Sequence, residues 1–266
     1  MSDYECMLLE INDHIATVTI NRPDVMNALN WQAYSELEQI FRDLQKDPNV
    51  RCIILTGNGR AFCSGDDVRE IMLKIGSGEG SGSRLKEIRP GTTPAARAIL
   101  DCDRPVIAAV NGAAVGWGMD LSLMADFRIA STQAKFGELF VKRGLVADVG
   151  GLVRLPKIVG PQKAAELLFT GDIISADEAK DIGMLLDVVP HDELLTAANK
   201  LATRIACNPP LAVRYLKEGL RRSYHGDYDE MGNWVAQTLG ILFQTEDHKE
   251  GVSSFLEKRE PTFHGR

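Results

Sequence analysis

The ten residues Asn111-Gly112-Ala113-Ala114-Val115-Gly116-Trp117-Gly118-Met119-Asp120 run from the end of an apolar strand, through small residues, into a helix, and the fold reads outward from them. Pro105 to Val110 is the strand that enters this turn, Gly118 to Met124 the helix that leaves it, and Phe127 to Ala130 another short strand. A helix start of this kind leaves backbone N–H groups without helical acceptors, so they can face an anion.

The same order of elements appears upstream. Ile15 to Ile20 alternates β-branched and small residues, and Arg51 to Leu55 is an apolar run that Thr56-Gly57-Asn58-Gly59 ends as a turn; both read as strands. Between them, Tyr34, Leu37, Ile40, Phe41 and Leu44 recur at spacings of three and four along Trp31 to Gln45, the stripe of an amphipathic helix. Strand, helix, strand makes a right-handed crossover. A second helix, Pro94 to Leu100, leads into the strand before the quoted turn. The fold class is therefore α/β with repeated ββα units.

From Ser175, which forms a capping box with Glu178, the pattern turns helical, and helices are predicted from Glu193 to Cys207 and from Pro210 to Arg222. The expected organisation is a catalytic core over residues 1–195 and a helical region over 196–266. Gly76 to Arg84, reading GSGEGSGSR, is the low-complexity stretch and is expected to be mobile, as a lid or a plain loop.

With 266 residues, 44% hydrophobic and 25% charged, the chain can bury a full core without staples. Its longest apolar runs fall far short of the roughly 20 residues of a membrane helix. Met1 to Ile11 is too acidic and too polar for a secretory leader, which points to the cytoplasm or to a precursor already trimmed. Cys6, Cys52, Cys63, Cys102 and Cys207 are widely spaced and odd in number, so neither a disulfide framework nor a metal site is expected. A net charge of −7 weighs against nucleic-acid partners.

A second turn, Ala61-Phe62-Cys63-Ser64-Gly65-Asp66-Asp67-Val68, also passes from a strand through glycine into a helix start. Either turn alone reads as an ordinary glycine turn. Together, about fifty residues apart, they resemble the two oxyanion-hole segments of the crotonase (enoyl-CoA hydratase/isomerase) family, and the resemblance extends through Phe136 to Gly160 and to Phe255-Leu256-Glu257-Lys258-Arg259. It implies the crotonase spiral of ββα units with a helical C-terminal oligomerisation region, and a homotrimer or a dimer of trimers. It also implies an oxyanion hole made by the backbone N–H groups of Asp66 and Trp117, which would bind the oxygen of an acyl-CoA thioester as it gains charge. Trp117 stands where glycine is usual in the family.

The carboxylates set the reaction. By the resemblance, a hydratase flanks its water with two glutamates; here Asp120 takes the place of the first and Phe140 that of the second, with the spacing to Gly144 unchanged. Asp148, in Gly144-Leu145-Val146-Ala147-Asp148-Val149-Gly150-Gly151, stands where dienoyl-CoA isomerases of the family carry a functional aspartate. Alternatively, Asp148 caps a helix starting near Val149. Glu138, two residues before Phe140, reads as a solvated charge unless a local change in the turn brings it inward. Asp66 and Asp67 read as helix-start residues that complement the macrodipole.

The resemblance further implies that Arg22, Asp24, Val25, Met26, Ser64, Gly65, Asp67, Val68, Gly116, Phe140, Phe255 and Lys258 line the coenzyme A and thioester site. No metal, nicotinamide or flavin motif is present, so coenzyme A is expected to arrive as part of the substrate. The expected activity is carboxylate-mediated isomerisation or hydration of an unsaturated acyl-CoA. The alternatives are hydrolysis of a β-keto or cyclic acyl-CoA, and acyl-CoA binding without catalysis.

Overall fold

The computed structural model describes residues 4–73 and 92–266; the low-complexity stretch 76–84 lies outside them. In chain order, a hairpin of β1 (Met7–Asn12) and β2 (Ile15–Ile20) is followed by helix α1 (Trp31–Lys46), β3 (Cys52–Gly57) and β4 (Ala61–Cys63). Helix α2 (Pro94–Asp101) then leads to β5 (Val106–Val110), β6 (Ala113–Val115), α3 (Trp117–Met124), β7 (Phe127–Ser131) and β8 (Lys135–Gly137). Next come α4 (Leu155–Val159), α5 (Pro161–Thr170), β9 (Ile173–Ser175), α6 (Ala176–Asp181) and β10 (Asp187–Val189). The chain ends in α7 (Leu194–Ala206), α8 (Pro210–Ser223), α9 (Tyr228–Leu242) and α10 (Glu246–Glu257).

The strands form two sheets, one of six in the order β1-β2-β3-β5-β7-β10 and one of four in the order β4-β6-β8-β9. Each of β3, β5 and β7 in the large sheet is followed at once by β4, β6 or β8 in the small one, so successive turns of chain climb side by side as a spiral of ββα units. The pairings β3 to β5, β5 to β7, β4 to β6 and β6 to β8 are all parallel. The strand ends Cys63 and Val115, and the turns after them, therefore stand next to one another. All six residues of β3 and all five of β5 are buried, as expected of parallel strands covered on both faces. The run read as a turn from Thr56 begins later, because β3 continues through Gly57.

The boundary expected at residue 195 falls inside α7, and that helix belongs to the core. Leu194, Ala198, Ala202 and Ala206 form one stripe at every fourth residue and pack on Cys52, Ile54, Ile107, Ala109 and Ile129 of the large sheet. Alanine lets the helix axis approach the sheet closely, so a stripe of weak hydrophobicity still buries a full face. The more separate helical part starts at Pro210, and α8 is held to the core by polar anchors. Lys217 donates to Asp126 Oδ2 at 2.5 Å and to the carbonyl of Arg104 at 2.7 Å, and Arg214 Nε to Asp103 Oδ2 at 2.6 Å.

Candidate active site

The first wall of the site follows β4. Gly65 has φ +90°, a region closed to most side chains, and its carbonyl accepts from Leu29 N at 2.8 Å while Asp67 N donates to Leu29 O at 2.9 Å. These are the two bonds of a parallel bridge between Leu29 and Asp66, in which Asp66 turns its own N–H to the opposite side. The Asp67 carboxylate accepts from Arg69 N and Glu70 N at 3.1 and 3.2 Å, capping the helical turn Val68–Met72. Burial pushes the Asp67 carboxyl up, but the Glu70 N–H and the Arg22 guanidinium outweigh it and hold it below the ordinary value. Of the two aspartates read as helix-start residues, Asp67 plays that part and Asp66 does not; Asp66 Oδ1 instead accepts from the Tyr34 hydroxyl at 2.6 Å.

The second wall follows β6. Gly116, with φ +55°, is the N-cap of α3, and its N–H is taken by the carbonyl of Gly137 at 2.8 Å. Trp117 is the first residue of the helix, so its N–H has no acceptor within the helix. A Cβ on Gly118 would collide with the carbonyl of Cys63, so glycine there lets α3 sit flush on the end of β4. A Cβ on Gly65 would lie only 3.2 Å from Trp117 N. The two turns therefore meet at Gly65 and Trp117, with two backbone N–H groups, those of Asp66 and Trp117, at the meeting point. Backbone donors fixed in this way cost little reorganisation when a carbonyl oxygen gains charge.

A groove of about 700 Å³ opens over this point. Of the residues expected there, Arg22, Asp24, Val25, Ser64, Gly65, Asp66, Asp67, Val68, Gly116, Trp117 and Phe140 line it. Met26 does not; its carbonyl accepts from Ser64 N at 3.1 Å and so braces the turn from behind. Phe255, 82% exposed, and Lys258 lie at the end of α10, and neither lines the groove. Ala28, Arg69, Glu70, Val115 and Arg143 line it without having been anticipated. Arg22 is engaged by the groove's own acids, at 3.2 Å to Asp67 and 3.3 Å to Glu70.

Behind the Trp117 indole lie three carboxyl groups. Asp148 is half-buried, and its Oδ2 accepts from Trp117 Nε1 at 3.0 Å while Oδ1 accepts from Val149 N at 2.7 Å. Asp148 thus does two things: one oxygen takes the N–H of Val149, where the helical turn that runs on through Gly150–Arg154 begins, and the other orients the indole. Asp120 is fully buried, with Oδ2 accepting from Asp148 N at 3.0 Å and Oδ1 accepting from Gly151 N. A Cβ on Gly150 would stand 2.5 Å from Asp120 Oδ1, so the turn closes on this carboxyl only because it carries glycine. Burial pushes Asp120 up to about 7, against the pull of the two backbone N–H groups.

Glu138 corrects the sequence reading outright: it is 0% exposed rather than solvated. The inward and outward alternation of β8 continues one step past its end, so Phe136 and Glu138 both point inward, and that alternation was the signal that would have found it. Neither carboxyl oxygen has a hydrogen-bond partner among the described residues, and burial together with the neighbouring Asp120 pushes Glu138 up to about 9. Tyr34 is a further residue missed. It lies in the α1 stripe, where it passes for core, yet its ring meets the Trp117 indole edge-on with centroids 4.8 Å apart.

The enoyl-CoA hydratase/isomerase family model matches residues 10–266. A crotonyl-CoA hydratase of Syntrophomonas wolfei is 40% identical over 261 residues, which is 98% of either chain. The 1,2-epoxyphenylacetyl-CoA isomerase of Escherichia coli is 32% identical over 98% of this chain and 99% of its own. The crystal structure of enoyl-CoA hydratase from Bacillus anthracis superposes with a TM-score of 0.90 at 33% identity, covering 98% of this chain and 100% of that one. The chain belongs to the crotonase superfamily as an enzyme of the enoyl-CoA hydratase/isomerase family that acts on acyl-CoA.

Proposed function

We propose that the protein shifts a double bond along an unsaturated acyl-CoA thioester, with the thioester oxygen held between the N–H groups of Asp66 and Trp117 and with Asp148 carrying the proton. Asp148 takes a proton from one carbon, the electron pair moves into the conjugated thioester as a dienolate, and the same carboxyl returns the proton two carbons away. No atom is gained or lost. A positioned acid–base group of this kind contributes about 10²–10⁴-fold to a rate.

The observation that carries this reading is Phe140, an aromatic ring lining the groove at the position of a hydratase's second glutamate. With a ring at that place, the groove suits a proton shuttle through Asp148 better than it suits a water held between two acids. Hydration is the second reading, and the 40% identity to a crotonyl-CoA hydratase favours it. A panel of enoyl-, dienoyl- and β-keto-acyl-CoA thioesters turned over in heavy water separates the two by product mass. Isomerisation moves the double bond without adding water, and takes up deuterium to the extent that the carboxyl exchanges its proton with solvent before returning it; hydration adds one water with the carbon chain intact, and cleavage of the thioester would overturn both.

Coenzyme A arrives as part of the substrate and no separate cofactor is required. Arg69 and Arg143, together with Arg22, are the groove's cations for its phosphates. We infer assembly as a homotrimer or a dimer of trimers. Leu216, Leu220 and Tyr224 on and after α8, and Phe255 and Leu256 on α10, are large apolar side chains left exposed, which a subunit interface would cover. Light scattering should return three or six times 29.2 kDa, and a monomer mass would refute the assembly. A reducing, cytoplasmic setting fits five free cysteines, four of them buried.

A further inference from the structure

The Glu138 carboxyl has no place in the proton shuttle described above, yet it is fully buried, unpartnered among the described residues and pressed against the same turn. A Cβ on Gly151 would lie 3.0 Å from Glu138 Oε1, and Gly151 N is the donor that Asp120 Oδ1 receives. Glu138 and Asp120 thus converge on Gly151 from β8 and α3. We propose that Glu138 is a positioning residue: it keeps the proton of a buried Asp120–Glu138 pair, so that Asp120 holds the negative charge that clamps the turn carrying Asp148.

The partition of the proton follows from the surroundings. An ionised carboxylate with no hydrogen bond costs several kcal/mol to bury, and its protonated form far less. Asp120 has two backbone N–H donors, which favour its charged form, whereas Glu138 has none among the described residues. Two charges on facing carboxyls in an apolar setting cannot both be held cheaply, so the pair keeps one proton over a wide pH range and it rests on Glu138. Asp120, from α3, is the ionisable group that acts on Glu138. The 147–151 turn offers it the uncharged Ala147 and Gly151, while Asp148 and Asp66 act on Asp120.

The consequence concerns alkaline pH. When Glu138 loses its proton, the second charge repels Asp120, the N–H bonds of Asp148 and Gly151 lose their acceptor geometry, and Asp148 loses its fixed place behind Trp117. This effect on rate rests on the reading of Asp148 as the proton carrier; the effect on the turn does not.

The variant to make is Glu138→Gln, which keeps the shape of the protonated acid and cannot ionise. The first measurement uses no substrate. The infrared difference between the unsubstituted and E138Q proteins at about pH 8, above the Asp120 value of about 7 and below the Glu138 value of about 9, should show a protonated carboxylic-acid carbonyl band lost in the variant, and in the unsubstituted protein that band should vanish above about pH 9. Amide exchange at Asp148 and Gly151 should accelerate over the same range in the unsubstituted protein alone. Glu138 binds its proton more tightly folded, about 9, than unfolded, 4.5, so its ionisation makes stability fall as pH rises between those values. E138Q should therefore melt higher, by a margin that widens across that window.

The second measurement is the pH profile of turnover, in which the unsubstituted rate should fall about tenfold per pH unit above the upper limb and the E138Q rate should not. Absence of the carbonyl band at about pH 8 overturns the proposal, as does persistence of the band in E138Q at that pH, which would place the proton on Asp120. An alkaline limb or an exchange transition that survives in E138Q overturns the positioning role. If no thioester of the panel is turned over, the shuttle reading fails, while infrared and exchange still decide on Glu138.

Discussion

Replacing Asp148 by Asn is expected to lower the turnover number by about 10²–10⁴-fold, the contribution of a positioned acid–base group, with little change in KM. The amide oxygen introduced by Asp148→Asn can still accept from Trp117 Nε1 as Asp148 Oδ2 does at 3.0 Å, so the indole keeps its partner, while the new NH2 faces Val149 N, from which Asp148 Oδ1 accepts at 2.7 Å, and gives up that one backbone bond. What disappears is the group assigned to take and return the proton. Steady-state rates on the substrate that the heavy-water panel identifies, together with deuterium exchange at the α-carbon, measure both halves of the claim. Unsubstituted rates and exchange in the Asp148→Asn variant would remove Asp148 from the mechanism.

Asp120 makes the useful contrast. Both of its oxygens accept backbone N–H groups, from Asp148 and Gly151. An amide offers one oxygen and one NH2, and so would point a donor at a donor. Asp120→Asn, at a fully buried site, is expected to lower the melting temperature along with the rate, and by more than Asp148→Asn, which gives up one backbone bond at a half-buried site. Two aspartates that look equivalent in the sequence are thus separated by what surrounds them: one is fully buried and holds the turn together, and the other is half-buried and holds the Trp117 indole.

Legibility followed the length of each element and the regularity of its pattern. The stripe of α1 and the continuous apolar runs of β3 and β5 are long enough to carry a period, and each lies within a few residues of where the sequence placed it. Strands β4, β6, β8 and β9 have three residues each, too few for a period of two to declare itself, so the second sheet was invisible. Glu138 suffered from this directly, because its inward direction is inherited from β8. Helix α7 was assigned to an appendage because its buried stripe is mostly alanine, whose burial depends on how closely the sheet is approached rather than on side-chain hydrophobicity. The oxyanion turns were readable for the opposite reason: a backbone site needs glycines at fixed places, and Gly65, Gly116 and Gly118 are in the sequence for anyone to see.

Those glycines carry the second large effect. Gly65→Ala is expected to reduce the turnover number by about 10²–10³-fold, the loss that follows removal of one oxyanion donor. The new Cβ would stand 3.0 Å from Val115 O and 3.2 Å from Trp117 N, tighter than normal contact, and α3 would have to withdraw the Trp117 N–H from the meeting point. The backbone itself, at φ +90°, would add about 1–3 kcal/mol of strain, visible in a denaturant melt. Strain and displacement can be told apart with Gly116→Ala. That position also has a positive φ, +55°, but a Cβ there would meet nothing within 4 Å. It therefore carries the backbone cost without the steric push on the hole. A rate loss confined to Gly65→Ala, at comparable losses of stability, means that the N–H positions are what the reaction depends on. Equal rate losses in the two variants would mean that the turns matter for folding and that the thioester oxygen is stabilised elsewhere.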